Sequence, residues 1–261
     1  MTDGRLAGKV AIITGASTGL GPVMAQLFVE QGAQVLVAAR REALVREVAA
    51  ACGASAVAMR ADVTIESDVT AMVARCVETF GRVDVLCNNA ATPGTDLPIW
   101  EQTLDNWNAT IAVDVTAAML CTREALKQSM LERRTGVIIN FSSTAGFRGA
   151  PGKSHYVTAK ASLRALTKNI ALEVGPYGIR CNCLVPGGID TELWRNWVRR
   201  TADERGVAYE EQRARLLSGV ALRDISTAGD VANLAVFLAS DESRTITGQS
   251  ILVDAGGCML G

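Results

Sequence analysis

Val10-Ala11-Ile12-Ile13-Thr14 runs directly into Gly15-Ala16-Ser17-Thr18-Gly19-Leu20-Gly21, and this junction constrains the fold more than any other stretch. A continuous apolar, β-branched run suits a strand covered on both faces, as in a parallel sheet. Beyond the glycines, Val23, Met24, Leu27 and Phe28 recur at helical spacing. Pro22 is tolerated only in a first turn, which places the helix start near Gly19. A helix N-terminus offers unpaired N–H groups and the positive end of its dipole, and glycines let a phosphate approach the backbone closely. Strand, glycine turn and helix in that order suit a phosphate cradle; a glycine turn that serves packing alone has the same pattern.

The same alternation continues along the chain. Gln34 to Ala39 reads as a second strand, Ala56 to Arg60 as a third, Val83 to Cys87 as a fourth, Gly136 to Phe141 as a fifth, Arg180 to Val185 as a sixth and Gln249 to Asp254 as a seventh. Helical patterns separate them, over Glu42 to Cys52, Glu66 to Phe80, Thr103 to Arg133, His155 to Val174 and Thr227 to Ser240. From Thr103 to Arg133 the apolar stripe is Leu104, Trp107, Ile111, Val115, Met119 and Leu126, at a period of about 3.6 residues. Strands alternating with helices predict an α/β fold, a doubly wound parallel sheet of the Rossmann type in one domain, residues 1–261. Residues 189–225 break the alternation with a charged helical excursion carrying Trp194 and Trp197, which reads either as a lid over a substrate or as a surface hairpin.

Composition narrows the function. Lys plus Arg number 26 and Asp plus Glu 27, so the net charge is −1, and no long run of like charge invites nucleic acid or an anionic membrane. The polar start and the lack of any apolar run of spanning length lead to the expectation of a cytoplasmic protein. Seven cysteines stand among apolar neighbours and read as reduced core residues. His155 is the only histidine, so no histidine cluster is available and no metal site is expected.

Chemistry concentrates at the ends of the predicted strands. In open α/β sheets ligands meet the carboxyl ends of strands, where this sequence places Asn88-Asn89-Ala90-Ala91, Ser142-Ser143 and Pro186-Gly187-Gly188. After the second strand stand Arg40 and Arg41; an acid at that point suits an adenosine 2′-hydroxyl, whereas arginine suits a 2′-phosphate, although an arginine pair is also an ordinary solvated helix start. Tyr156 and Lys160 are four residues apart, on one helical face. A phenol with a free pKa of about 10 becomes a useful base near neutrality only when a neighbouring ammonium stabilises the phenolate. The pair alone also fits an ordinary amphipathic helix.

Taken together, these pieces resemble the short-chain dehydrogenase/reductase family, in its shorter single-domain branch, from Lys9 to Gly257. The matching residues are Thr14-Gly15-x-x-x-Gly19-x-Gly21, Asp62 after the third strand, Asn88-Asn89-Ala90 after the fourth, Ser143, Tyr156-x-x-x-Lys160 and Pro186-Gly187. The resemblance implies an NAD(P)-dependent oxidoreductase that interconverts a secondary alcohol and a ketone, with NADP favoured over NAD. It assigns the proton to Tyr156, support of the phenolate and the nicotinamide ribose to Lys160, and the substrate carbonyl to Ser143. Gly15, Ser17, Thr18, Gly19, Leu20 and Gly21 would hold pyrophosphate and ribose, Arg40 and Arg41 the adenosine phosphate, and Asp62 and Val63 the adenine. Asn89 and Ala90, with Ala91 in place of a common glycine, would line the adenosine side, and Pro186, Gly187, Ile189 and Thr191 the nicotinamide.

Three residues depart from the family pattern. Asp114 stands where the family has an asparagine in its proton relay, and is carried as a candidate catalytic residue. Ala91 is the second departure, and Thr18 stands where NADP-preferring members often have a basic residue. Phe147, Arg148, Leu193, Trp194 and Trp197 are candidate substrate contacts for a small molecule of unspecified identity. The resemblance also implies a homotetramer or homodimer. The alternative is a catalytically silent nucleotide-binding sensor or scaffold of the same fold. His155 reads as structural or as a cleft residue, because neighbours on a helix point about 100° apart.

Overall fold

The computed structural model describes residues 4–259 and, within them, every side chain except that of Leu193, so this predicted substrate contact lies outside the described residues. Seven strands, β1 (Val10–Thr14), β2 (Gln34–Ala39), β3 (Ala56–Arg60), β4 (Val85–Asn88), β5 (Gly136–Phe141), β6 (Ile179–Pro186) and β7 (Ser250–Val253), form one sheet in the order β3-β2-β1-β4-β5-β6-β7. Every pairing is parallel. This is the expected doubly wound Rossmann-type arrangement, with the strand order reversing between β1 and β4.

Parallel strands need helical crossovers, and these cover both faces. Helices α1 (Leu20–Glu30) and α2 (Glu42–Cys52) lie on one face; α3 (Glu66–Phe80) lies on the other. Between β4 and β5 run α4 (Leu104–Ile111), α5 (Ala117–Ala125) and α6 (Leu131–Arg133); α7 (Ser154–Val174) precedes β6, and α8 (Glu192–Arg205), α9 (Tyr209–Leu217) and α10 (Ala228–Ala239) precede β7. Alternate strand residues face opposite layers: Ala11, Ile13, Val35 and Val37 pack with α1 and α10, whereas Val10, Ile12, Leu36 and Ala38 pack with α3, α5 and α7. The continuous apolar runs of β1 and β2 are therefore explained by two cores, one on each side of the sheet.

The helical stretch before β5 corrects the sequence reading. It is interrupted by π turns at Ala112–Thr116 and Leu126–Met130. Each wide turn shifts the phase of the face that follows it, so a single 3.6-residue stripe cannot persist. Leu104 is 71 % exposed and Met119 39 %, while Thr110, Asp114, Ala117, Cys121 and Ala125 are buried. The first π turn brings the Asp114 carboxylate inward.

Asp84 fastens three elements together just before β4. Its Oδ2 accepts from the Val10 N–H and from Arg82 Nε, and its Oδ1 from Arg133 Nη2, all at 2.8 Å. Burial pushes its carboxyl upward, but the bonds from Arg82, Val10 and Arg133 outweigh that and hold it below the ordinary carboxylate value. A carboxyl lowered in the folded state contributes stability that is complete above its unfolded value of about 3.9 and is lost as pH falls through the folded value. Asp84→Asn is expected to lower the unfolding free energy at pH 7 by about 2 kcal/mol in urea melts. The gap should narrow below about pH 4; a constant gap from neutrality downward would contradict this account.

Candidate active site

The carboxyl ends of β1 to β4 open on a groove of about 760 Å³ at the point where strand order reverses. Its walls contain Gly15, Ser17, Thr18, Leu20, Arg40, Arg41, Asp62, Val63, Asn89, Ala90, Ala91 and Ile189, all expected from the sequence, together with Ala39, Ala61 and Val113. The last three were not anticipated, since small apolar residues at strand ends, as Ala39 and Ala61 are, or within a helical stretch, as Val113 is, carry no chemical signal of their own.

The glycine turn fits a dinucleotide phosphate. Gly15 has φ 66°, and a Cβ there would stand 2.6 Å from the Ala90 Cα, so the turn closes against the end of β4 only with glycine. Gly19 has φ 67° and faces open space, and α1 begins beside it with no side-chain cap, leaving its first N–H groups for a ligand. Gly21 serves packing, with a would-be Cβ 2.6 Å from the Ala16 Cα. The Thr14 hydroxyl accepts from the N–H groups of Asn89 and Ala90, both at 3.1 Å, and Asn89 Nδ2 donates to the Thr14 carbonyl at 2.9 Å. These bonds join the carboxyl ends of β1 and β4.

Positive charge collects at the β2 end of the groove. Arg41 Nη2 donates to Ser17 Oγ and Thr18 Oγ1, both at 2.8 Å, lying across the glycine turn. Asp62 is held below its ordinary carboxylate value; burial opposes this, and its bonds from the Thr64 hydroxyl and N–H, with the charges of Arg40 and Arg60, prevail.

The other end of the site is built where β5 meets α7. The Ser143 Oγ accepts from the Ala145 N–H at 3.2 Å and starts a short turn, Thr144–Gly146. Gly146 lies so close to α7 that a Cβ would stand 2.8 Å from the Lys160 carbonyl carbon, and Ser142 Oγ donates to the Lys160 carbonyl at 2.7 Å. Tyr156 is half-buried, whereas Lys160 is only 3 % exposed. Lys160 Nζ donates to the Phe141 carbonyl at 3.0 Å, stands 2.9 Å from Asp114 Oδ2 and lies 5.5 Å from the centre of the Tyr156 ring. The Asp114 contact is a charge contact, since Oδ2 has no directed hydrogen bond. Burial disfavours the ammonium, but Asp114 and Tyr156 together, with a smaller part from Cys183, outweigh it and keep Lys160 above the ordinary lysine value. Asp114 Oδ1 accepts from the Thr92 N–H at 2.8 Å, so one carboxylate holds both the lysine and the loop that leaves the groove. Phe141 and Thr92 act through backbone atoms, which no residue type announces.

A second cavity of about 360 Å³ adjoins Thr144 and is lined by Arg148, Trp194 and Trp197, with Leu217, Val220 and Ile225. Arg148 Nη1 donates to the Gly257 carbonyl at 2.7 Å. Phe147 takes a different place, its ring 3.2 Å from the Arg164 guanidinium carbon and outside the lining. Of the expected nicotinamide residues, Ile189 reaches the groove, Gly187 lines the second cavity, Pro186 is buried at the end of β6, and Thr191 caps α8 by accepting from the Trp194 N–H at 3.3 Å.

Comparison with known proteins agrees with this architecture. A family model described as enoyl-(acyl carrier protein) reductase matches residues 15–257. The chain is 35 % identical over 257 residues to 2,5-dichloro-2,5-cyclohexadiene-1,4-diol dehydrogenase of Sphingobium indicum, covering 97 % of each. It is 35 % identical over 255 residues to 3beta-hydroxysteroid dehydrogenase 2 of Eggerthella lenta, covering 96 % of this chain and 95 % of the relative. A crystal structure of NAD+-bound xylitol dehydrogenase superposes with a TM-score of 0.88 at 27 % identity, over 96 % of this chain and 99 % of the other. With the glycine turn, the Tyr156 and Lys160 pair and the strand order in place, the chain belongs to the short-chain dehydrogenase/reductase family of oxidoreductases.

Proposed function

We propose that the protein is an NAD(P)-dependent oxidoreductase that interconverts a secondary alcohol and a ketone, with Tyr156 exchanging the proton. The observation that carries this reading is the buried Lys160 ammonium, held by Asp114 and the Phe141 carbonyl at 5.5 Å from the Tyr156 ring, at the strand end that also presents Ser143. When bound in the groove, a nicotinamide dinucleotide supplies or accepts the hydride. In alcohol oxidation Tyr156 takes the hydroxyl proton, and in ketone reduction it returns one. Ser143 donates a hydrogen bond to the substrate oxygen, an arrangement that stabilises negative charge developing there. Lys160 supplies fixed positive charge beside the phenol and a donor for the nicotinamide ribose. Asp114 keeps that lysine charged and in place.

The coenzyme reading favours NADP. Arg40 and Arg41 line the groove directly after β2, the position from which an acid would accept from a 2′-hydroxyl, and a guanidinium pairs well with a phosphate. For the substrate, the indoles of Trp194 and Trp197 with Leu217 and Ile225 supply an apolar wall, and Arg148 a single cation at its edge. Two relatives are named for acting on ring-borne hydroxyls, which makes cyclic secondary alcohols the first class to assay. Helices α8 and α9 carry Trp194, Trp197 and Leu217 of this wall and are read as a lid. The rival reading is a silent nucleotide-binding protein, favoured only by the engagement of Lys160 with Asp114 instead of an asparagine.

Two experiments test the proposal. Tyr156→Phe is expected to abolish turnover of any alcohol that gives reduced-nicotinamide absorbance with the wild type, while coenzyme binding persists; more than about a tenth of the wild-type rate, a loss below roughly 1.4 kcal/mol, would contradict the proton role. No absorbance change across a broad alcohol panel with both coenzymes would support the silent reading. Arg40→Asp is expected to shift the ratio of kcat/KM for NADP over NAD toward NAD by about tenfold or more, as loss of one charge-assisted phosphate contact predicts. An unchanged ratio would remove Arg40 from coenzyme choice.

A further inference from the structure

His155 is fully buried beside Tyr156, yet the mechanism does not use it. Its Nε2 lies 3.0 Å from the Pro93 carbonyl and its Nδ1 2.6 Å from Gln102 Nε2. The carbonyl only accepts, so the ring proton belongs on Nε2, and Nδ1 accepts from the glutamine amide. That amide orientation is itself dictated. Gln102 Oε1 accepts from Asn106 Nδ2 at 2.6 Å, while Asn106 Oδ1 accepts from the Thr95 N–H at 2.8 Å and Asn106 Nδ2 also donates to the Thr95 carbonyl at 2.9 Å. Both backbone groups of Thr95 have a fixed sense, so reversing either amide sets donor against donor. The relay from Pro93 through His155, Gln102 and Asn106 to Thr95 thus begins and ends on one loop.

That loop, residues 92–98, leaves the cofactor groove directly after Ala91. Asp114 holds its first residue through the Thr92 N–H, and the Leu97 N–H donates to the Gly152 carbonyl at 2.9 Å, just before α7. The loop backbone and the ring are in direct contact, since a Cβ on Gly94 would stand 2.5 Å from His155 Nε2. Charged groups on the packed elements do not hydrogen-bond the ring: Asp96 pairs with Lys153 at 3.1 Å, Asp114 pairs with Lys160, and Glu101 and Asp105 are exposed.

We propose that His155 is a positioning residue: as the neutral ring protonated on Nε2, it locks residues 92–98 to the first turn of α7 and so fixes Tyr156 relative to the loop that leaves the cofactor groove. This rests on the proposed proton role of Tyr156, but the lock has readouts that need no turnover.

The single histidine makes the test direct. In ¹⁵N-labelled protein at pH 7.5 the ring spectrum is expected to show a protonated Nε2 and a bare Nδ1; a ring protonated on Nδ1 would overturn the proposal. His155→Leu is expected to speed amide exchange at Thr95 and Leu97 by about tenfold or more, equivalent to about 1.4 kcal/mol of lost protection. His155→Gln, whose amide also offers one donor and one acceptor, should restore most of that protection. If the leucine variant fails to fold, Gln102→Leu breaks the same relay from a half-buried position and should speed the same amides. In each folded leucine variant, NADPH affinity measured by fluorescence should stay within about twofold while kcat on an alcohol accepted by the wild type falls about tenfold. Wild-type exchange at Thr95 in those variants, or an unchanged kcat, would show that the relay does not position the site. Failure of the Tyr156→Phe test with the tautomer and exchange results intact would instead remove only the proton role.

Discussion

The all-parallel sheet is the constraint on which the rest of this structure depends. Because every strand runs the same way, every carboxyl end lies on one edge, and the chain reversal between β1 and β4 opens a crevice there. Gly15, Arg40, Asp62, Asn89 and Ser143 are far apart in the chain, yet each follows or ends a strand. Topology gathers them at that edge. What local bonding adds is precision, as when Thr14 and Asn89 join the ends of β1 and β4 over the glycine turn.

Within that frame the site is held by a charge balance in a dry place. A lysine as buried as Lys160 would ordinarily lose its proton, because removing an ammonium from water costs more than one neutral hydrogen bond returns. Asp114 offsets that cost at 2.9 Å and also holds Thr92. Helix α7, the end of β5 and the loop after β4 are therefore coupled through one carboxylate. A π turn makes this possible, since the extra residue in the turn rotates Asp114 toward the sheet.

Much of the fold and part of the site were legible in the sequence for identifiable reasons. The glycine turn declares itself because strand, glycines and an early proline leave few alternatives. The groove residues were legible because strand ends are readable from where apolar runs stop. The contacts of Phe141, Thr92 and Thr95 were not, since backbone groups are common to all residues and only their neighbours give them a role. The apolar stripe from Leu104 to Leu126 was misleading for a related reason: a periodicity argument assumes one helical period, and the two π turns break it.

The sequence by itself determined the parallel α/β architecture, the glycine turn between β1 and α1 and the placing of Tyr156 and Lys160 on one helical face, because each rests on local spacing and on residue chemistry that persists in any context. Only the tertiary structure decided that Asp114 faces Lys160, that Phe147 stacks under Arg164 while Trp194 and Trp197 share a cavity, and that His155 is a buried member of a hydrogen-bond relay. Those outcomes depend on helix phase and on which backbone groups converge from distant segments, and packing sets both.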